Sequence, residues 1–551
     1  MASADHFQAA VRLADRRAES VERSSALPLL VVAALYWTFT CTFAFRKLMW
    51  NDELYTYYIA RLPTMHDVVG ALMSGGEQTP PFFYLTTRAS LHLFGINNIA
   101  IRLPEMLAVF VMMLCLFRFV RRTSSVSAAL CAALFPIVTK AYGYSFEARP
   151  YGLVLGFGAL AIVSWQAATL EGRSRWTVVC LTVAVAAAAS SHYYGVFLAL
   201  PLVVGEIVRT VTRRRLDAAI WVALGISVVP LLWHLPLIKA GTSYSSAFWA
   251  PPQWVNLPDF YSDLLHSAIV PIVCVLTIGV IVAVTAAEFT PAPDDRSTSP
   301  PIHELAAACA LVALPAVCVV LAKLVTGAFV NRYALAAVLG LAMLAGWAIE
   351  LAFRPHAAVR LIAVVCFGGW FVLSQAREVI QPTGDTLPVS PALIQRSTDW
   401  LGARPERELP IVVADPQTFV VLSHYARADI GSRLVYLADP KLALQYLGHN
   451  SVERGMIDLV GPWFRMPVVA FDRFLAEHRR FLVYGDFVRL SFLNWLLPEL
   501  HARGIRTELL NRAGDTMLLL VSNDAAATST TVSSDARAAI TASRAMVEPR
   551  R

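Results

Sequence analysis

Charge is scarce in this sequence. Of its 551 residues, 15% are Asp, Glu, Lys or Arg, against about 25% in an ordinary soluble domain. Hydrophobic residues make up 57%. The deficit excludes a soluble globular chain and predicts a polytopic α-helical membrane protein, since each span needs ~20 mostly apolar residues. Cysteine is missing from the hydrophilic C-terminal region. All eight (Cys41, Cys115, Cys131, Cys180, Cys274, Cys309, Cys318 and Cys366) fall in apolar runs, which argues against a disulfide framework or a cysteine metal site. The first apolar run lacks a small-residue cleavage pattern, so it is expected to stay as a signal anchor. Lysine is rare beside arginine. The net charge of +7 follows from the loop arginines of a membrane protein, and no nucleic-acid partner is expected.

Eleven spans are predicted, at 26–45, 100–119, 124–141, 150–169, 176–191, 193–209, 218–238, 264–286, 305–325, 333–350 and 361–377. Lys and Arg tend to remain in cytoplasmic loops. With residues 1–25 inside, that rule keeps Arg12, Arg16, Arg17 and Arg23, Arg121 and Arg122, Arg213, Arg214 and Arg215, and Arg296 on the inner side. The rule also makes Pro80–Gly95 a helix on the outer surface, and splits 176–205 into two short spans turning near His192. The transmembrane domain is then 26–379, and residues 380–522 form an extracytoplasmic domain. Apolar runs at Ile411–Ala414, Leu434–Leu437, Phe481–Tyr484 and Met517–Val521, with the helix-like Leu493–Arg503 between the last two, predict an α/β fold there. His424, Asp439 and Asp486 read as surface loop residues. The tail 523–551, rich in Ala, Ser and Thr, is expected to be disordered.

The same topology gathers the unusual polar residues at the outer face. Asp52, Glu53, Glu77 and Gln78-Thr79-Pro80-Pro81 lie in the first outer loop. Tyr142, Tyr144, Glu147, Arg149 and Tyr151 lie in the second, His192-Tyr193-Tyr194 at the third turn, and Asn331-Arg332-Tyr333 in the fifth loop. The span interiors carry almost no charge, whereas an ion-coupled transporter keeps ionisable groups near mid-membrane. Carboxylates act as general bases, arginine holds phosphate through a bidentate fork, and tyrosine offers an apolar face with a hydrogen bond at headgroup depth. The set suits a sugar carried on a lipid phosphate. Each residue also has a structural explanation. The tyrosines serve as interfacial anchors, Arg102 and Arg332 reach for phospholipid headgroups, Glu147 pairs with Arg149, and His192 caps its turn.

Six strings, in this order, carry a resemblance: WNDELYTY at 50–57, TPPFFYL at 79–85, IRLPEMLAVF at 101–110, EARPYGL at 147–153, HYYG at 192–195 and NRYALA at 331–336. They resemble the GT-C glycosyltransferases that use polyprenyl-phosphate sugars, above all the branch of protein O-mannosyltransferases and bacterial lipid A aminoarabinose transferases. The resemblance spans about residues 25–380. It implies that Asp52 is the catalytic base and that Glu53 supports it or contacts substrate. It places Glu147 and Arg149 near the sugar phosphate. Thr79 stands where many relatives have histidine before the two prolines, so a histidine role there does not carry over. Arg102, His192, Tyr193, Arg332 and Tyr333 complete the expected substrate-binding set.

The implied reaction is direct transfer on the extracytoplasmic side. An acceptor hydroxyl loses its proton to Asp52, attacks the anomeric carbon with inversion, and expels the lipid phosphate, whose charge Arg149 and Arg332 stabilise. Expected partners are a polyprenyl-phosphate-linked sugar donor, a glycolipid, polysaccharide or protein acceptor, and membrane lipids. No cofactor is required; a divalent cation on Asp52 and Glu53 is the alternative. The expected location is a bacterial inner membrane. Two other functions fit the same sequence. One is a lipid or polysaccharide flippase, marked by polar side chains lining a path across the bilayer. The other is a non-catalytic scaffold, marked by Asp52 buried in a salt bridge.

Overall fold

The computed structural model describes residues 24–285, 299–354, 356–384, 391–403, 406–487 and 490–523, with single positions 15, 18, 19, 22 and 389. Most of the N-terminal segment, Arg296 and the tail from 524 onward lie outside the described residues. Among those described, eight helices are long and apolar enough to cross a membrane, or nine if the bent pair Val126–Val138 and Lys140–Phe146 counts as one span. The expectation was eleven. The two remaining predicted spans coincide with apolar helices shorter than this length, Arg175–Ser191 and Ala337–Ala352. The bent pair turns by 75° at Thr139, whose extended backbone ends one helical segment and whose hydroxyl caps the next. His192 sits between Arg175–Ser191 and the next helical segment, and Pro81–Phe94 is helical but is not among the helices long and apolar enough to cross.

Small residues let the membrane helices approach closely, as expected where lipid is as apolar as the protein. A Cβ on Gly156, in helix Tyr151–Ala168, would lie 2.5 Å from the Ala108 carbonyl oxygen of helix Leu103–Arg121. At the far end of that helix, away from Arg102, sits a buried polar cluster. Arg122 pairs with Glu304, and the Gln166 amide donates to the same carboxylate at 3.2 Å. Nearby, Arg209 donates to Glu206 at 2.8 Å, as does the Trp165 indole at 3.1 Å.

Beyond the last membrane helix, Ala357–Ile380, the chain builds a six-stranded sheet. The strands are β1 (Ile411–Val413), β2 (Leu434–Ala438), β3 (Val468–Ala470), β4 (Arg480–Asp486), β5 (Arg506–Ala513) and β6 (Thr516–Ser522). Their order is β3-β2-β1-β4-β6-β5, parallel from β3 to β4 and antiparallel beyond. Alternation along the strands divides two cores. Ile411, Val413, Leu434, Tyr436, Leu482 and Tyr484 pack with residues of the short helices Asn51–Ala60 and Met65–Met73, including Leu54, Ile59 and Val68. Val412, Val435, Leu437 and Val483 pack with Phe471, Trp495 and Leu500 on the other face. The sheet therefore sits on the segments that connect the membrane helices at one end, and the site forms along that seam.

Candidate active site

Trp50, in extended conformation, precedes helix Asn51–Ala60, whose first turn holds both Asp52 and Glu53. A helix N-terminus favours acidic side chains, and neighbouring helical residues point about 100° apart because a turn takes 3.6 residues. The two carboxylates accordingly go separate ways. Glu53 is fully buried. It accepts from Arg102 Nε and Nη2 at 2.7 and 2.8 Å and from the Ala148 N–H at 2.8 Å, with Lys47 Nζ at 3.7 Å. Burial alone would raise its pKa, but the Arg102 and Lys47 charges outweigh this and bring it down to about 2. Arg102 is also buried. It donates to the Ala44 and Lys47 carbonyls at 2.7 and 2.8 Å, which closes the C-terminal end of helix Ala26–Arg46. It does not reach toward headgroups. Glu147 pairs with Lys47 at 3.5 Å rather than with Arg149; burial raises its pKa against the Lys47 charge.

Asp52 faces a cavity of about 180 Å3. Its Oδ2 lies 3.0 Å from Arg332 Nη2, with both side chains 18% exposed. The Asn51 amide donates to Asp52 Oδ1 at 3.3 Å. A second ion pair stands beside the first. Arg149 donates to both oxygens of Glu77 at 3.2 and 3.4 Å, and Thr79 donates to Glu77 at 2.7 Å. Burial would lower the Arg149 pKa, but Glu77 and Asp52 raise it well above its ordinary value. For Arg332 burial is likewise outweighed, by Tyr151 and Asp52. The Arg332 guanidinium also lies over the Tyr151 ring, 5.7 Å from its centre. His192 accepts from the Tyr194 N–H at 3.2 Å, so it does cap its turn. It also lines the cavity, with ring centres of Tyr151 and Tyr333 at 5.3 and 5.1 Å. Burial, then the Arg149 and Arg332 charges, lower its pKa to about 3.

Five of the nine expected residues therefore line one cavity: Asp52, Arg149, His192, Arg332 and Tyr333. Glu53, Arg102 and Glu147 form the buried network behind it. Tyr193 is not among the lining residues, and its ring lies 5.9 Å from that of His234. Sequence reading missed Asn51, Tyr55, Tyr244, Trp249 and Gln417, which also line the cavity. Asn51 and Tyr55 were legible as neighbours of Asp52 on one helix. Tyr244, Trp249 and Gln417 belong to segments with no motif and reach the cavity only through tertiary packing. The Trp249 N–H donates to Ser451 Oγ at 3.2 Å and the Asn450 N–H to the Ala247 carbonyl at 3.2 Å. The segment 243–250 is thereby tied to the α/β region across the top of the site. Of the residues read as surface ones, His424 meets the Tyr58 hydroxyl at 3.0 Å, Asp439 caps helix Pro440–Leu447, and Asp486 ends β4.

A bundle of membrane helices whose long connecting segments and C-terminal α/β domain enclose a charged cavity is the GT-C architecture, and that is the fold of this multi-pass membrane protein. Residues 78–238 match the family model described as dolichyl-phosphate-mannose-protein mannosyltransferase. The chain is similar in structure to ArnT from Cupriavidus metallidurans in the apo state, with a TM-score of 0.54 at 13% identity over 91% of this chain and 99% of that one. Against the same protein bound to undecaprenyl phosphate the TM-score is 0.52 at 14% identity, over 92% and 100%. No curated protein matches the chain.

Proposed function

We propose that this chain is an integral-membrane glycosyltransferase that moves a sugar from a polyprenyl-phosphate donor to an acceptor hydroxyl. The observation that carries the reading is the pair of ion pairs, Asp52–Arg332 and Glu77–Arg149, on the wall of one cavity. Each guanidinium already binds an oxyanion there, and a phosphate is a better match for the same fork. Phosphate arriving on the lipid donor engages Arg332 and Arg149 and releases Asp52. The carboxylate then stands free beside the anomeric carbon. As the acceptor oxygen attacks, Asp52 takes its proton, the bond from the anomeric carbon to the phosphate oxygen breaks, and prenyl phosphate leaves on the two arginines. One displacement inverts the anomeric centre. Tyr151, Tyr333 and the uncharged His192 supply flat faces for the donor sugar.

Glu53, Arg102, Lys47 and Glu147 are positioning groups in this scheme. They join the helix bearing Asp52 to the loop bearing Arg149 through the Ala148 N–H. The reaction needs no cofactor. A cation shared by Asp52 and Glu53 would first have to displace Arg102 from Glu53. The family match at 78–238 and the fold of ArnT support a prenyl-phosphate donor. The positive-inside pattern supports a bacterial inner membrane with the α/β domain outside. The sugar is a hexose or pentose, and the acceptor is a glycan or a protein.

The Asp52–Arg332 pair is also what a structural scaffold would display, and one experiment separates the two. Purified wild-type and Asp52→Asn proteins are offered a panel of prenyl-phosphate sugars with mass detection of released prenyl phosphate. Release by wild type and its loss in the folded variant support the enzyme. Equal rates in both remove Asp52 as base, and no release from any donor by wild type leaves the scaffold.

A further inference from the structure

A displacement with inversion brings the nucleophile to the face of the donor sugar opposite the leaving group. Arg149 and Arg332, the two groups placed to hold the leaving phosphate, belong to the membrane domain. The acceptor therefore approaches from the other side of the seam. There the cavity is lined by the segment 243–250 and by the α/β region, with Trp249, Gln417, Ser451 and Phe492 among its residues. Asp52 is within reach of that side, because its helix touches it: the Tyr55 hydroxyl, one turn on, meets Met456 Sδ at 3.9 Å.

Three consecutive residues fix two aromatic side chains at this place. His449 Nε2 donates to the Phe492 carbonyl at 3.1 Å. The Asn450 N–H donates to the Ala247 carbonyl at 3.2 Å, and Ser451 Oγ accepts from the Trp249 N–H at 3.2 Å. Trp249 and Phe492 nevertheless stay 38% and 46% exposed. One exposed aromatic is ordinary; two held at a reaction cavity by one bracket form a built surface. The same bonds bear on the kind of ligand. An extended peptide laid along such segments is held by main-chain hydrogen bonds. Here the Trp249 N–H, the Asn450 N–H and the Ala247 carbonyl are already spent within the bracket. What the cavity is offered is aromatic faces, with the Gln417 amide and the Trp249 indole N–H beside them. Aromatic faces cover the apolar C–H side of a sugar ring, while neighbouring polar groups take the hydroxyls at its edge.

We infer that Trp249 and Phe492 hold the acceptor and that the acceptor is a sugar ring of a glycan. The inference rests on the transferase reading and names its acceptor. A ring lying on the two aromatics turns one hydroxyl towards Asp52. That oxygen bonds to the anomeric carbon and its proton passes to Asp52. The bond from the anomeric carbon to the phosphate oxygen breaks, and prenyl phosphate leaves. His449 and Ser451 are positioning residues, since each holds the backbone of one aromatic.

The test is saturation-transfer NMR on the full chain in nanodiscs, with methyl glycosides of hexoses and pentoses, a serine/threonine peptide and undecaprenyl phosphate offered separately. Trp249→Leu and Phe492→Leu keep an apolar side chain and remove the aromatic face; Trp249→Phe keeps the face. At least one glycoside should bind wild type, with its ring C–H protons saturated most strongly. Each leucine variant should bind that glycoside about fivefold more weakly, as for one lost aromatic contact, and Trp249→Phe should retain it. Phe492 lies on a different segment from Trp249, so its variant decides the matter even where Trp249→Leu fails to fold. The inference is overturned if no glycoside binds wild type, if the folded leucine variants bind glycosides like wild type, or if the peptide is the ligand whose binding they lose. Failure of wild type to bind undecaprenyl phosphate would count against the donor reading alone, because the glycoside results decide the aromatic pair.

Discussion

Arg102 holds Glu53 through two parallel hydrogen bonds, at 2.7 and 2.8 Å, with both side chains shut off from solvent. A bidentate guanidinium–carboxylate pair is the strongest form of charged contact, and this one also clamps the end of the first membrane helix and the Ala148 N–H. Removing one partner leaves the other as an uncompensated buried charge. Arg102→Ala should therefore cost about 3–5 kcal/mol of stability, seen as a lowered melting temperature in detergent. The pH dependence has a definite sign. Glu53 is held at about 2 in the folded protein, below its unfolded value of about 4.3. Its contribution is complete above that unfolded value and is lost as pH falls towards 2. Glu53→Gln should lower stability at neutral pH and flatten this acid-induced loss; an unchanged acid profile would show that the pair does not carry it.

Arg332→Ala and Arg149→Ala should each slow transfer about 10²–10³-fold, the range for losing one donor to a developing oxyanion. Arg332→Lys should recover only part of it, because an ammonium cannot reproduce the planar fork. Single-turnover rates with a fixed prenyl-phosphate sugar check this. Full recovery by lysine would mean that Arg332 acts as a point charge.

His192 stays neutral through physiological pH. Its folded pKa of about 3 lies below the unfolded value of about 6.5, so only the unfolded chain gains its proton between the two. Stability is thus unaffected above about pH 6.5 and declines as pH falls below it. His192→Phe should reduce that decline and should leave the shape of the pH–rate profile between pH 6 and 8 unaltered. A rate step near 6.5 that disappears in the variant would assign His192 a proton-transfer role instead.

Chelation should leave turnover intact. Asp52 is engaged by Arg332 and Glu53 by Arg102, so the two carboxylates do not share a site. Activity measured after EDTA dialysis, with and without added Mg2+ or Mn2+, decides it; loss on dialysis with recovery on addition would refute the prediction.

The sequence was most legible where period or polarity speaks for itself. The runs at 411–414, 434–437, 481–484 and 517–521 became β1, β2, β4 and β6 because alternating apolar residues are buried on both faces. β3 was missed because it has three residues and none fully buried, and β5 because Arg506, Glu508 and Arg512 give an edge strand the look of a loop. In the site, the ordered strings brought Asp52, Arg149, His192, Arg332 and Tyr333 together. The opposite fates of Asp52 and Glu53 were readable only once NDELYTYYIA was taken as a helix, which forces adjacent side chains apart. The pairing of Glu147 with Lys47 and of Arg149 with Glu77 leaves no trace in spacing, since each pair joins segments far apart in the chain.

The cluster around Glu304 bears on how the chain enters the bilayer. Glu304 is fully buried in the first turn of its helix, and an ionised carboxylate left alone in hydrocarbon is expensive. Its partners Arg122 and Gln166 precede it by 182 and 138 residues. During synthesis they are already in place when the helix carrying Glu304 emerges from the ribosome. The helix carrying Glu304 therefore meets partners supplied by earlier parts of the chain, and its carboxylate is not left unpaired between the membrane helices.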